Sequence, residues 1–182
     1  MLSTLIAILA LIVLAITLII LLTFAAYQAS RKRIGYIPLP ARAVPAVVKA
    51  LELKGSGALF DLGCGDGRIL NAAAKTNPKI TAVGIEINPV VVMMGRWRLR
   101  PTPQATIKHG DINQTPLDSA RWVFTYLSHG QMAELEPKLK AELPAGCRLV
   151  SCDFPLPGRK PNRTVKIGES WQLGQMLYIY DY

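Results

Sequence analysis

Hydrophobic and polar positions divide the chain into a long apolar start and a mixed remainder. No charged side chain occurs from Leu2 to Ser30, and the residues from about Leu5 to Ala26 are mainly Leu, Ile, Val and Ala. At 1.5 Å per residue, a helix of this length crosses a hydrocarbon layer of about 30 Å. The pattern predicts a transmembrane helix, with residues 1–30 as the anchor. A cleaved signal peptide is the alternative, although such peptides have a shorter apolar core and a basic start.

The sequence after the anchor indicates a short linker followed by one domain. Residues 31–42 contain Pro38 and Pro40, which keep a chain extended, and we assign them to the linker. Residues 43–182 are assigned to the domain, since roughly 150 residues suffice for one core but not for two. The predicted elements are helix Ala43–Leu53, ended by Gly55-Ser56-Gly57; strand Ala58–Leu62; helix Arg68–Lys75; strand Ile80–Ile85; helix Pro89–Leu99; strand Ala105–His109; strand Trp122–Leu127; helix Gln131–Glu142; strand Arg148–Cys152; and strands Arg163–Ile167 and Met176–Tyr180.

This order of elements predicts an α/β fold. Strands that alternate with helices imply a mostly parallel, doubly wound sheet, and two closing strands without a helix between them add an antiparallel edge, giving a seven-stranded sheet. Ligands of such sheets bind at the carboxyl ends of the strands, near the switch in strand order. The glycine turn Asp61–Arg68, which follows the first strand, is predicted to lie there.

Charge is distributed unevenly along the chain. Arg31-Lys32-Arg33 follows the apolar run directly, whereas no basic side chain precedes it, so the domain is expected on the cytoplasmic side or on an equivalent face such as a mitochondrial matrix. The net charge of +9 suits an anionic lipid surface. Nucleic acid is the alternative partner, but no recognised binding motif is present and we expect none. No metal site is expected, because the three cysteines are dispersed and only His109 and His129 could serve as imidazole ligands.

The strongest chemical signal is Asp61-x-Gly63-x-Gly65-x-Gly67. Its glycines permit a tight turn and let a ligand approach the backbone without meeting a Cβ atom. The turn opens onto a predicted helix, for which Asp66 is the predicted cap. A glycine turn alone is shared by structural turns and by several nucleotide-binding folds, so the assignment depends on further residues.

Three acids at successive strand ends make the signal specific. Asp61 ends the first strand and could order the amino-acid end of a cationic ligand. Glu86 ends the second strand, where a carboxylate can accept both hydroxyls of an adenosine ribose. Asp111 follows the third strand, where it could accept the adenine amino group while Ile112 packs on the ring; capping a turn is its alternative role. The three acids match the three polar ends of S-adenosylmethionine, and no lysine-containing phosphate cradle favours a triphosphate.

On these residues the sequence resembles the class I, seven-strand methyltransferases, which have a Rossmann-like fold. More narrowly, it is similar to the lysine methyltransferase family that contains the mitochondrial enzymes for the ATP synthase c subunit and the adenine nucleotide translocase, together with a broad-specificity archaeal protein-lysine methyltransferase. The resemblance extends from Tyr36 to Tyr182. Its specific segments are Tyr36-Ile37-Pro38-x-Pro40, Asp61-Leu62-Gly63-Cys64-Gly65-Asp66-Gly67-Arg68-Ile69, Gly84-Ile85-Glu86-Ile87-Asn88 and Pro137-Lys138-Leu139-x(3)-Leu143-Pro144-x-Gly146-x-Arg148-Leu149-Val150-Ser151.

The resemblance implies that Asp61, Gly63, Gly65 and Glu86 hold the cofactor and that residues 36–40 fold over the site. Leu39 stands where a small or hydroxylated residue is expected, so a side-chain hydrogen bond from this segment to the cofactor is not predicted.

Substrate-facing residues are less clearly marked. The end of the fourth strand, Thr125-Tyr126-Leu127-Ser128, lacks the Asn-Pro-Pro-Tyr type of signature found where planar amides or bases are methylated. Tyr36 and Tyr126 are candidates for an aromatic lysine channel, with packing against the core as the alternative. His129 is a candidate proton acceptor, with a cap or surface role as the alternative, and no catalytic base is assigned.

The resulting hypothesis is a membrane-anchored, S-adenosylmethionine-dependent methyltransferase that modifies lysine in a membrane or membrane-proximal protein. A small-molecule or lipid methyltransferase, for example one acting on a quinone, is the first alternative. A non-catalytic membrane module is the second. The cluster Arg96-Trp97-Arg98-Leu99-Arg100 is predicted either to dock on lipid headgroups or an acidic partner, or to form a solvated helix end.

Overall fold

The computed structural model describes residues 2–31, 36–169 and 173–182, which form two compact units, Met1–Ile37 and Pro38–Tyr182. The first unit contains helix α1, Leu2–Arg31, within which Ile6–Phe24 is long and apolar enough to cross a membrane. An N-terminal signal sequence meets the same criterion. Lys32 and Arg33, on which the predicted orientation depends, lie outside the described residues.

The second unit alternates helices and strands as the sequence predicts. A short 3-10 turn, Ala41–Ala43, leads into the first helix. The elements are α2 Val44–Leu51, β1 Gly57–Leu62, α3 Arg68–Thr76, β2 Ile80–Glu86, α4 Pro89–Leu99, β3 Ala105–His109, β4 Ala120–Thr125, α5 His129–Glu142, β5 Arg148–Cys152, β6 Arg163–Lys166 and β7 Met176–Asp181; a second 3-10 turn, Ile112–Gln114, follows β3.

The seven strands form one sheet in the order β3-β2-β1-β4-β5-β7-β6. The first five strands are parallel, and β7 pairs antiparallel with both β5 and β6. The predicted doubly wound sheet with an antiparallel edge is therefore confirmed. The strand order reverses between β1 and β4, so the carboxyl end of β1 borders the crevice where such sheets bind ligands.

Alternating side chains of each strand build a core on each face of the sheet. In β1, Leu59 packs in one core with residues of α2, α3 and α4, whereas Phe60 packs in the other with residues of α5. Both side chains are almost completely buried. The two apolar faces fix the register of β1, because a shift by one residue would exchange its two faces.

Three predicted boundaries were wrong. Helix α2 ends at Leu51, before the predicted glycine stop, because Glu52 adopts the left-handed conformation with φ 48°. Strand β4 ends at Thr125, so Tyr126 and Leu127 lie beyond the strand. Helix α5 starts at His129, two residues earlier than predicted, because Ser128 caps it with a reciprocal hydrogen-bond pair to Gln131.

Candidate active site

The glycine turn after β1 depends on left-handed backbone conformations. Gly63, Gly65 and Gly67 have φ values of 78°, 55° and 73°, which glycine adopts without the cost that a Cβ atom adds. A Cβ atom on Gly63 would lie 2.8 Å from Cδ2 of Leu127. The N–H group of Gly63 donates to the Ile85 carbonyl at 2.9 Å, which joins the turn to the end of β2.

The acid inside the turn does not cap α3 as predicted. Gly67 occupies the N-cap position, and the Asp66 carboxylate instead accepts hydrogen bonds from Nη2 of Arg68 at 2.8 Å and from Nη2 of Arg98 at 2.9 Å. Burial opposes the charge of Asp66, but the two guanidinium groups outweigh it and lower its pKa. Arg98 belongs to α4, so this ion pair fastens the glycine turn to the next helix.

Arg68 also links the turn to the segment that precedes α2. Its Nη1 donates to the carbonyl oxygen of Leu39, whose side chain is buried in the core. Leu39, the departure noted in the sequence, therefore contributes apolar packing and a backbone acceptor. Tyr36 belongs to the first unit and is exposed, so its role in the site stays a prediction.

Two of the predicted acids converge at the carboxyl ends of β1 and β2. The Glu86 carboxylate accepts from the N–H of Gly65 at 3.1 Å and from the N–H of Asn88 at 2.8 Å. Asp61 is only 2% exposed, and burial, together with the charges of Glu86 and Asp66, raises its pKa well above the ordinary value. The site thus holds an unfavourable concentration of negative charge, which a cationic ligand would relieve.

The third predicted acid lies beside this pair. The N–H of Gly110 donates to the backbone carbonyl of Glu86 at 3.0 Å, which brings the end of β3 against the end of β2. Asp111 caps the 3-10 turn after β3 by accepting from the N–H of Asn113 at 2.9 Å, so the alternative capping role is observed. Ile112 is half-buried against the core. Contact of Asp111 and Ile112 with adenine stays a prediction.

An aromatic cluster lies beyond the carboxyl ends of β4 and β5. The ring of Phe154 is 6.1 Å from that of Tyr126 and 4.8 Å from that of His129, edge to face. Burial and the nearby charge of Asp153 raise the pKa of Tyr126 to about 12, so its phenol is neutral at physiological pH. The neighbouring Thr125 hydroxyl is fully buried and has no hydrogen-bond partner among the described residues.

Several residues of this edge escaped the sequence analysis. Phe154 lies two residues after β5, and the rule that strand ends of a parallel sheet meet at one edge would have indicated it. Asp153 adopts φ 62° and accepts from three consecutive N–H groups, beginning with Gly174 at 2.6 Å, which holds the segment before β7 against the end of β5. Asn88 caps α4 through Oδ1.

The observed donor set fits S-adenosylmethionine. The turn exposes backbone without side chains, Asp61 offers a buried carboxylate to a cation, and Glu86 offers acceptor oxygens one strand further along. Fold and site together define an S-adenosylmethionine-dependent methyltransferase with a seven-stranded sheet. The chain belongs to the ANTKMT methyltransferase domain family, whose model matches residues 61–163.

Named relatives cover most of the chain. It is 31% identical over 150 residues to a protein-lysine N-methyltransferase of Saccharolobus islandicus, an alignment that covers 81% of this chain and 92% of that protein. Two mammalian relatives are each 36% identical to it: the Rattus norvegicus lysine N-methyltransferase for the ATP synthase c subunit and the Mus musculus adenine nucleotide translocase lysine N-methyltransferase, over 73% and 76% of this chain. The chain spans only 62% and 61% of those two proteins.

Solved structures support the same fold. An RNA methyltransferase from Salinibacter ruber, crystallised with S-adenosyl-L-homocysteine, superposes with a TM-score of 0.72 at 30% identity, covering 80% of this chain and 93% of that one. The C-terminal domain of precorrin-6Y C5,15-methyltransferase from Rhodobacter capsulatus superposes with a TM-score of 0.63 at 17% identity, which bears on the fold alone.

Proposed function

We propose that the protein is a protein-lysine N-methyltransferase that acts on a membrane or membrane-proximal protein. The observation that carries the substrate class is the match with the archaeal relative, which extends over 81% of this chain and bears the name protein-lysine N-methyltransferase. The aromatic cluster of Tyr126, His129 and Phe154 supports it, because ring faces and edges suit the long apolar stem and cationic head of lysine.

We assign the cofactor contacts to the glycine turn and the strand-end acids. Gly63 and Gly65 let the backbone approach the ligand, and Asp61 holds its cationic amino-acid end. Glu86 accepts the ribose hydroxyls through lone pairs that remain beside its two backbone hydrogen bonds. Asp111 and Ile112 bind the adenine. Asp66 contributes indirectly, since its ion pairs with Arg68 and Arg98 hold the turn in place.

S-adenosylmethionine supplies a methyl group on a positively charged sulfur. The residues of this chain align a neutral lysine amine with that methyl group, so that the N–C bond forms while the S–C bond breaks. The amine releases its proton to solvent beforehand, which burial and the nearby positive charge favour by lowering the amine pKa. Tyr126 stays neutral, with its pKa raised to about 12, and therefore contributes packing rather than base catalysis.

We further propose that α1 anchors the enzyme as a single-pass membrane protein. Its apolar length supports a span, and the basic residues that follow it support a domain on the cytoplasmic or matrix-equivalent face. Anchoring confines enzyme and membrane substrate to the same surface and so raises their effective concentration. Lysines close to the bilayer are the expected sites.

The proposal is tested by incubating the full chain with membrane extract and a methyl donor that carries a labelled methyl group. The products are separated into protein, lipid and RNA fractions, and the protein fraction is hydrolysed for amino-acid analysis. We expect the label in protein, as methyllysine. Glu86→Gln should abolish the label, whereas Glu134→Gln, an exposed site on α5, should not. Label confined to lipid or to RNA would contradict a protein substrate.

A further inference from the structure

Helix α4 exposes an unusual number of large apolar side chains. Four of them, Val90, Met93, Met94 and Trp97, are 59%, 66%, 50% and 70% exposed, and we call them the α4 patch. Leu173 is the only other exposed large apolar side chain among the described residues of the second unit. Neither the cofactor site nor the sheet uses this face, and a cluster of this kind on a folded domain marks an interaction surface.

The charge around the α4 patch has one sign. Between Glu86 and Asp111 the sequence contains no acidic residue, and its four basic residues are Arg96, Arg98, Arg100 and Lys108. Arg98 is engaged by Asp66, whereas Arg96 and Arg100 border a cleft of about 280 Å³ between α4 and β3.

Arg96 and Arg100 are also positioned relative to the apolar residues. Nε of Arg96 donates to the Ile107 carbonyl at 3.1 Å, which holds its guanidinium beside the edge strand β3. Arg96 follows Met93 by three positions and Arg100 follows Trp97 by three, so the cations and the apolar residues share one side of the helix.

We propose that the α4 patch, together with Arg96 and Arg100, docks on an anionic phospholipid surface. This inference rests on the proposed membrane anchoring. The apolar residues project from a convex helix, which suits insertion among lipid headgroups, and Trp is the side chain most typical of that depth. Guanidinium groups bind phosphate oxygens in pairs and retain their charge when partly desolvated. An unbroken positive border complements anionic lipid.

Docking at this face would orient the active site. Val90 lies four residues after Glu86, so the α4 patch begins at the cofactor edge of the sheet. A bilayer in contact with α4 would therefore lie beside the aligned methyl group. The enzyme would thus select lysines just outside the membrane surface, a restriction that a flexible tether alone does not impose.

The test places a nitroxide spin label on Met93→Cys in the full chain, reconstituted into vesicles. The three native cysteines are buried, which protects them from the label, and burial raises the pKa of Cys147 to about 12. Collision of the label with oxygen, which dissolves in lipid, and with a water-soluble nickel chelate is compared between phosphatidylcholine vesicles and vesicles that also contain phosphatidylglycerol. Ala133→Cys, on the opposite face of the sheet in α5, is the matched position.

In the anionic vesicles we expect the Met93→Cys label to gain oxygen accessibility and lose nickel accessibility several-fold, while the Ala133→Cys label does not change. Arg100→Gln should reverse much of this effect, and Lys140→Gln, an exposed cation on α5, should not. Nickel accessibility at Met93→Cys equal to that at Ala133→Cys would overturn the proposal. So would protection that is already present in detergent without lipid, which would indicate a second copy or a peptide partner.

The same vesicles separate this inference from the proposed function. If methyllysine forms but the Met93→Cys label stays in water, the docking surface is wrong and the lysine methyltransferase assignment stands. If the label is buried in lipid but no methyllysine forms, the docking surface stands and the substrate assignment is wrong.

Discussion

Asp61 illustrates how a residue can oppose folding and still be required. Its carboxylate is almost completely buried and lies in the field of Glu86 and Asp66, and its pKa is raised well above the ordinary carboxyl value. Relative to the unfolded chain, the free protein therefore loses stability as the pH rises from the ordinary carboxyl pKa through the raised one. A bound cation would offset this cost, which couples the stability of the domain to its cofactor.

Asp61→Asn should therefore separate stability from binding. Without ligand, we expect the variant to melt at a higher temperature than the wild type at neutral pH, by about 2–4 °C for each kcal/mol regained. Its affinity for S-adenosylhomocysteine, which retains the α-ammonium group, should fall at least about tenfold, roughly 1.4 kcal/mol. Differential scanning fluorimetry and titration calorimetry measure the two effects. A variant that keeps full affinity would show that Asp61 does not contact the ligand.

The aromatic cluster should contribute to substrate binding and not to cofactor binding. Phe154→Ala removes the ring that contacts both Tyr126 and His129, and we expect the KM for a lysine peptide to rise about tenfold, within the range known for cation–π contacts. The dissociation constant for S-adenosylhomocysteine should change less than twofold. Steady-state kinetics and calorimetry distinguish the two, and an equal loss of both would indicate a general collapse of this edge.

The residues of the site were predictable to the extent that they end strands. Asp61, Glu86 and Asp111 follow β1, β2 and β3, so the sheet itself brings them to one edge. Asp66 was misassigned because its partner Arg98 lies 32 residues away on another helix, and no local pattern reports that contact. Phe154 was missed because its partners come from a different strand end.

At the scale of elements, α4 owes its position to a glycine. A Cβ atom on Gly95 would clash with Cδ1 of Ile107 and would lie 3.2 Å from the carbonyl oxygen of Gly65. The close approach of α4 to the glycine turn therefore requires a residue without a side chain, and the Arg98–Asp66 ion pair depends on the same approach.

Gly95→Ala and Gly130→Ala should consequently have opposite effects. Both positions are helical, but a Cβ atom on Gly130 in α5 meets nothing within 4 Å. We expect Gly130→Ala to stabilise the protein by about 0.4–1 kcal/mol through reduced chain entropy. Gly95→Ala should destabilise it by roughly 1–3 kcal/mol through overpacking, and weaken cofactor binding as well. Urea unfolding provides the comparison, and stabilisation by Gly95→Ala would contradict the tight packing of α4.

Element order was easier to predict from the sequence than element ends. The alternation of apolar strands with helices determined the sheet, because each strand must bury both faces. The end of α2 was wrong by two residues because Glu52, a residue that seldom adopts a positive φ, forms ion pairs with Arg148 and Arg163 at 2.8 and 3.2 Å. These partners lie in β5 and β6, far along the chain.

At the scale of the whole molecule, the two units should be separable in function. The second unit has its own sheet and two cores, so a variant lacking residues 1–35 should keep its melting temperature and should bind S-adenosylhomocysteine within about twofold of the full chain. Its activity on a soluble lysine peptide should be equal, because peptide and cofactor meet the same edge of the sheet. Methylation of proteins within intact membranes should fall at least about tenfold, since the tether supplies effective concentration and no catalytic group. A replacement of residues 1–31 by an unrelated transmembrane helix should restore it, and failure of that replacement would indicate that α1 recognises the substrate itself.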